Sequence, residues 1–440
     1  MASRFGAYLS KRGERFIQVI KANPVHMNQM GKAMRNPYHP TENPQGLVNL
    51  STAQNTCLAP IIVEKLNQRE FLQWEPWMLP YTERPCLWRL RKAVASFLTE
   101  ETGAKTPLDP NNVMIVNRVT AIMYIVAYLL SDEGDTFLSP TPMYGAIPRD
   151  FEALSNVTVY PVPLSSEPGP NGGDAYELTD EMLEAALNEA KQKGHKVTGL
   201  FLVNPQNPLG IVYTKEQVLT YMNFCKRHEI HCILDEIYLC CIYDQSVPNS
   251  SVLGFDLEEI PDIQRTHVMW GFSKDFGMPG SPISAFYSWN KDLVQATCNL
   301  ASTFFGMPTY NQFAASKLLE DREWLRNVCI PTNLSSLGEH LDITIATLDE
   351  LGVPYLKPTA GLFIWADFGK FLAEKTLAEE VRLAEAFEGH GVALPPASTF
   401  LYDDPGFFRI IFAVPKHELL EGLKRLKEVC LSFSKPSGTA

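Results

Sequence analysis

Gly271-Phe-Ser-Lys-Asp-Phe-Gly-Met-Pro-Gly280 follows directly on the apolar run 266–270, Thr-His-Val-Met-Trp. Lys274 therefore stands between a short segment that reads as a buried strand and a glycine-rich loop. By itself this lysine is either a ligand-facing amine or a solvated side chain. Two segments nearer the N-terminus have the same build. The run 199–203 enters Asn204-Pro-Gln-Asn207-Pro-Leu-Gly210, and the run 231–234 enters Asp235-Glu-Ile-Tyr238. The first loop is turn chemistry or a binding loop. Asp235 is a helix N-cap or a ligand group. In parallel sheets, ligands sit beyond the carboxyl ends of the strands. Three polar strand ends in succession thus read together as one site.

Outward from these segments the rhythm is α/β. Strands are expected at 113–117, 136–139, 157–161, 199–203, 231–234, 266–270 and 283–288. Helical spacing marks 90–101, 120–130, 179–191 and 215–227. Strands alternating with helices predict a mostly parallel central sheet covered on both faces. Past about residue 309 helices dominate to 351. Strand 362–366, helix 377–387, strand 408–412 and helix 416–431 follow. The Pro-rich stretch 36–45 reads as an irregular arm. The expected organisation is an N-terminal arm and part of a small domain over 1–60, a large domain over 61–320, and a small α+β domain over 321–440 that draws on both chain ends.

Composition narrows the function. The chain has 440 residues, 45% hydrophobic and 20% charged, with a net charge of -12. No Lys/Arg stripe favours nucleic acid or an anionic membrane. The nine cysteines form no C-x-x-C pair, which predicts reduced thiols in a cytoplasmic protein and no metal site. The basic start, residues 1–16, lacks the apolar core of a signal peptide. The apolar stretch 121–130 is too short to span a bilayer. No G-x-G-x-x-G follows a strand, which argues against a dinucleotide-binding protein.

Pyridoxal-phosphate chemistry needs a lysine amine, a carboxylate that keeps the pyridine nitrogen protonated, donors for the phenolic oxygen and a phosphate cup. Asn-Pro-x-Gly, then Asp-x-x-Tyr, then Ser-Lys supply these parts in that order. The sequence resembles the class I/II aminotransferases of pyridoxal-phosphate fold type I, and within them the 1-aminocyclopropane-1-carboxylate (ACC) synthase-like branch and its fungal secondary-metabolism members. The resemblance runs from about residue 46 to the last helix. It implies Lys274 as the Schiff-base lysine, Asp235 at the pyridinium nitrogen, and Asn207 and Tyr238 at the phenolic oxygen. Tyr144, in Pro-Thr-Pro-Met-Tyr144, is either the ring-stacking tyrosine or a core aromatic. Arg409 matches the arginine that grips the substrate carboxylate, a task suited to a guanidinium fork. Tyr81 matches a tyrosine lent to the neighbouring subunit's phosphate site, which implies a homodimer with shared sites.

The departures are specific. The helix opening the phosphate cup usually starts Gly-Ala-Thr, and here reads Arg118-Val119-Thr120. The arginine expected two positions after Gly280 is replaced by Pro282. Arg118 is the first candidate for the missing cation and Arg84 of the partner subunit the second. Otherwise Arg118 faces solvent or an acidic side chain, and the hydroxyls of Thr120, Ser273 and Ser281 carry the cup. At the substrate loop, ACC synthases read Ala-Glu-Asn where this chain has Ala53-Gln54-Asn55, which speaks against S-adenosylmethionine as substrate. The expected reaction is Cα deprotonation of an amino acid or its conjugate followed by elimination, as in the C–S lyases of gliotoxin-type pathways. Transamination to a 2-oxo acid, ACC synthesis and a catalytically inactive partner protein are the alternatives.

Overall fold

The computed structural model describes residues 9–21, 31–81, 83, 86–168 and 174–433. The strands are β1 (Val48–Asn49), β2 (Val113–Val116), β3 (Thr136–Thr141), β4 (Thr158–Pro163), β5 (Val197–Val203), β6 (His231–Asp235), β7 (Thr266–Gly271), β8 (Ser284–Ser288), β9 (Tyr355–Leu356), β10 (Phe363–Asp367), β11 (Val392–Ala393) and β12 (Phe407–Ile411). Seven of them form one sheet in the order β2-β8-β7-β6-β5-β3-β4. β4, β3, β5, β6 and β7 are joined by parallel pairings, and β8 runs antiparallel to both β7 and β2. The sheet is therefore mostly parallel, with one reversed strand.

Apart from the edge strand β4, which is partly exposed, the strands of this sheet are buried on both faces, which is why they read as continuous apolar runs. Along β5, Leu200 and Leu202 point into one core and Phe201 and Val203 into the other. Local signals set the helix ends. Helix Lys215–Arg227 starts at Thr214, whose side chain and that of Gln217 form a reciprocal capping box. Helix Asp180–Gln192 is capped by the Thr179 hydroxyl, which accepts from the Met182 N–H.

Beyond the large sheet, β12, β10 and β9 form an antiparallel sheet, and β1 pairs in parallel with β11. Helix Ile330–Leu351 precedes β9, β10, β11 and β12 in the chain. Helices Lys11–Lys21, Ala59–Leu66, Ile147–Ser155 and Lys291–Phe304 lie where no helix is expected from the sequence. The second begins with Pro at its first turn, a start signal the sequence did contain. The stretch after β7 is partly helical, because residues Phe272–Asp275 form a single turn that includes Lys274.

Two glycines bring distant segments close enough to frame the site. Gly277 has φ +61°, and a Cβ there would lie 2.2 Å from Asn55 O. Gly210 has φ +71°, and its Cβ would meet Pro358 at 2.5 Å. Each adopts a left-handed backbone that a side chain disfavours, and each leaves no room for one.

Candidate active site

The three polar strand ends converge. Asp235 is the last residue of β6, Lys274 lies just past β7, and the 204–210 loop follows β5, the neighbour of β6. Adjacent parallel strands end on the same edge, so the sheet order itself gathers them. Ala53, Gln54, Arg118, Val119, Thr120, Tyr144, Asn207, Asp235, Tyr238, Ser273, Lys274 and Arg409 all line one cavity of about 250 Å³. Pro282 lines it too, as do the apolar side chains Met123, Ile147, Val203 and Ile237, none of which the sequence reading singled out. Their apolar character made them look like ordinary core.

The Asn-Pro loop divides its labour. Asn204 donates to Ser250 Oγ at 3.0 Å and accepts from the Tyr213 N–H at 3.0 Å. Gln206 donates to Pro142 O at 2.7 Å and accepts from the Leu209 N–H at 2.8 Å. These two amides brace the loop. Asn207 alone is presented to the cavity, where Nδ2 donates to the Tyr238 hydroxyl at 3.4 Å and Oδ1 accepts from Arg409 at 2.9 Å.

Asp235 is buried, and its Oδ1 accepts from the Ile237 N–H at 3.2 Å. No helix starts behind it, so the N-cap alternative falls away. Its other oxygen has no hydrogen-bond partner among the described residues. Burial pushes its carboxyl up to about 7, against the opposing pull of the Ile237 N–H and Lys274. Such a carboxylate can hold a proton on a ring nitrogen placed against it.

Lys274 Nζ donates to Ala53 O at 2.5 Å. Burial lowers its amine to about 8, Arg409 adds to the effect, and Asp235 and Cys241 oppose it. Below it, buried Asp275 accepts from Trp270 Nε1 at 2.7 Å and from Cys241 Sγ at 3.3 Å. Asn55 donates to Asn333 at 2.7 Å, and Asn333 donates to Cys240 O at 3.0 Å. The turn carrying Lys274 is thus anchored from beneath while its amine faces the cavity.

Arg409, on β12, is 2% exposed. Its Nη1 donates to Asn207, its Nη2 donates to Ser51 O at 2.5 Å, and its Nε is buried without a partner. Phe400 and Phe363 flank the guanidinium, with centroids at 4.7 and 5.4 Å. Burial lowers its ionisation to about 10. No carboxylate pairs with it among the described residues, a costly state for a buried cation unless a ligand supplies the anion. The aromatic flanks and the Ser51 carbonyl had no signal in the sequence, because they come from remote segments.

Tyr144 is half-buried in the cavity wall, and burial raises its phenol. Arg118 precedes helix Val119–Leu130 and is exposed at the cavity edge, with no hydrogen bond or ion pair from its side chain among the described residues. Tyr81 is 97% exposed and does not reach the cavity of its own chain. Arg84 lies outside the described residues. Among the described residues the cysteines form no disulfide. Among the described residues, no group of side chains suits a metal ion, and no helix is long and apolar enough to cross a membrane.

The residues present fit pyridoxal phosphate. A half-buried amine, a buried carboxylate with one free oxygen, a phenol–amide pair and the start of a helix share one cavity. Comparison with known proteins agrees. The chain is 38% identical over 391 residues to "1-aminocyclopropane-1-carboxylate synthase-like protein 1" of Takifugu rubripes, covering 89% of this chain and 63% of that protein. It is 34% identical over 427 residues to "Probable inactive 1-aminocyclopropane-1-carboxylate synthase-like protein 2" of Mus musculus, covering 97% and 73%. The solved aspartate aminotransferase of Thermotoga maritima superposes with a TM-score of 0.72 at 22% identity, covering 96% of this chain and 99% of that one, and so shares the fold type I architecture. Residues 46–426 match the family profile described as aminotransferase class I and II, and the chain belongs to that pyridoxal-phosphate-dependent family.

Proposed function

We propose that this protein removes the Cα proton of an α-amino acid or amino-acid conjugate and then expels a group from the side chain, as a C–S lyase does. The observation that carries the first step is Lys274, a half-buried amine lowered to about 8 by desolvation in the same cavity as Asp235 and Arg409. Pyridoxal phosphate, when bound, supplies an aldehyde for the substrate amine and an electron-withdrawing ring that acidifies the Cα proton. Arg409 grips the substrate carboxylate through its guanidinium, whose Nε is unpartnered. Roughly a quarter of an amine of this kind is neutral at pH 7.5, against roughly a thousandth of an ordinary lysine. Lys274 can therefore take the Cα proton at Nζ and deliver it elsewhere. Asp235 holds negative charge against the ring nitrogen, and Asn207 and Tyr238 orient the opposite edge.

Elimination is supported by the ACC synthase-like relatives and by the charge of the cavity. Its charged lining residues are Arg118, Asp235, Lys274 and Arg409. With Asp235 committed to the ring, a sulfonium side chain meets no carboxylate, and Gln54 supplies none. A neutral thioether suits this lining. The protein also works as a homodimer in this reading. Members of the family are typically dimers, and Leu72, Trp74, Leu79 and Tyr81, close together in the sequence, are large side chains left 55–97% exposed.

The test is product analysis on a panel of amino acids and S-conjugated cysteines, with and without a 2-oxo acid. Thiol, pyruvate and ammonia released without an acceptor support the lyase. Acceptor-dependent formation of a new amino acid replaces it with an aminotransferase, and ACC from S-adenosylmethionine replaces it with a synthase. Loaded protein that exchanges no substrate Cα proton would make the chain a non-catalytic relative.

A further inference from the structure

We propose that the guanidinium of Arg118 is the cation that anchors the cofactor's phosphate, a proposal that rests on the reading of the cavity as a pyridoxal-phosphate site. On the pyridoxal ring, the phenolic oxygen, the aldehyde and the phosphate arm occupy consecutive carbons. With Lys274 at the aldehyde and Asn207 and Tyr238 at the phenolic oxygen, the phosphate belongs on the other flank. The polar lining side chains without a role so far are Thr52, Gln54, Arg118, Thr120, Tyr144 and Ser273, and Arg118 is the one cation among them.

Charge then decides between them. A phosphate monoester carries close to two negative charges, whereas a helix N-terminus offers only about half a positive charge. Helix Val119–Leu130 has 12 residues, and the N–H groups of Val119 and Thr120 have no acceptor among the described residues. The Thr120 hydroxyl is turned towards buried Asp150, at 3.4 Å. Asp150 is itself held by Arg149 at 2.8 Å, so Arg149 is already neutralised. Lys274 and Arg409 are engaged elsewhere in the cavity, and Pro282 brings no charge. Arg118 alone among the cations lining the cavity has a side chain with no partner, and it directly precedes the two free amides.

The experiment titrates pyridoxal phosphate, and separately pyridoxal without phosphate, into apo wild-type, Arg118→Ala, Arg118→Lys and Arg84→Ala full-length protein. Binding is read by the visible absorbance at Lys274. The expected result is at least a tenfold loss of pyridoxal-phosphate affinity in Arg118→Ala, partial recovery in Arg118→Lys, and unchanged affinity for pyridoxal in both. Equal loss for the two ligands, unchanged affinity in Arg118→Ala, or a loss confined to Arg84→Ala would overturn the assignment to Arg118 and leave the cofactor reading standing. Wild-type protein that develops no absorbance with pyridoxal phosphate would overturn both.

Discussion

Replacing Asp235 with Asn exchanges one oxygen for nitrogen and should separate catalysis from stability. The amide oxygen can still accept from the Ile237 N–H, so the turn after β6 keeps its bond. It cannot keep a ring nitrogen protonated. The stabilisation lost from the Cα deprotonation transition state should be about 3 kcal/mol or more, at least roughly a hundredfold in rate. Apo stability should move the other way. Burial raises this carboxyl from 3.8 to about 7 in the folded protein. The unfolded chain therefore gives up the proton first, and stability is lost as pH rises from about 4 through 7. Roughly three pKa units correspond to as much as about 4 kcal/mol above pH 7. Apo Asp235→Asn should thus melt above apo wild type at pH 8 and close to it at pH 4. The assays are NMR exchange of the substrate Cα proton in deuterated buffer and thermal unfolding of the apo proteins at both pH values. Near-wild-type exchange would refute the catalytic role, and a lower apo melting temperature at pH 8 would refute the electrostatic argument.

Lys274→Ala should lose the visible absorbance and borohydride labelling with pyridoxal phosphate, and a label that persists elsewhere would displace Lys274. If sites are shared between subunits, mixing Lys274→Ala with an inactive Tyr81→Ala should restore some activity, and a fully active monomer would end that reading. The His231–His267 pair, linked at 3.0 Å, should give a separate acid signature. Burial holds His231 down at about 4 and His267 well below its ordinary value. Stability from His231 is therefore present above pH 6.5 and lost as pH falls towards 4, by roughly 3 kcal/mol. The stability gap between wild type and His231→Asn should narrow across that window in thermal unfolding, and a constant gap would contradict it.

Local chemistry made much of this protein readable without coordinates. Helix Lys215–Arg227 was legible from its apolar spacing, and its start is fixed by a contact between near neighbours, the Thr214–Gln217 capping box. The buried strands were visible as apolar runs, and Asn207, Asp235, Tyr238 and Lys274 as polar residues where such runs stop. Strand direction was not visible, because a two-residue period is the same read either way, and the reversal of β8 emerged only from its pairings. Nor could sequence divide the Asn-Pro loop into the bracing Asn204 and Gln206 and the cavity-facing Asn207. The carbonyls of Ser51 and Ala53 that hold Arg409 and Lys274, and the rings of Phe363 and Phe400 around the guanidinium, come from segments remote in the chain. Residue types and their order determined which chemistry was available. Only the packing of distant segments decided which groups are desolvated, and desolvation brings the Lys274 amine and the Asp235 carboxyl close to neutral pH.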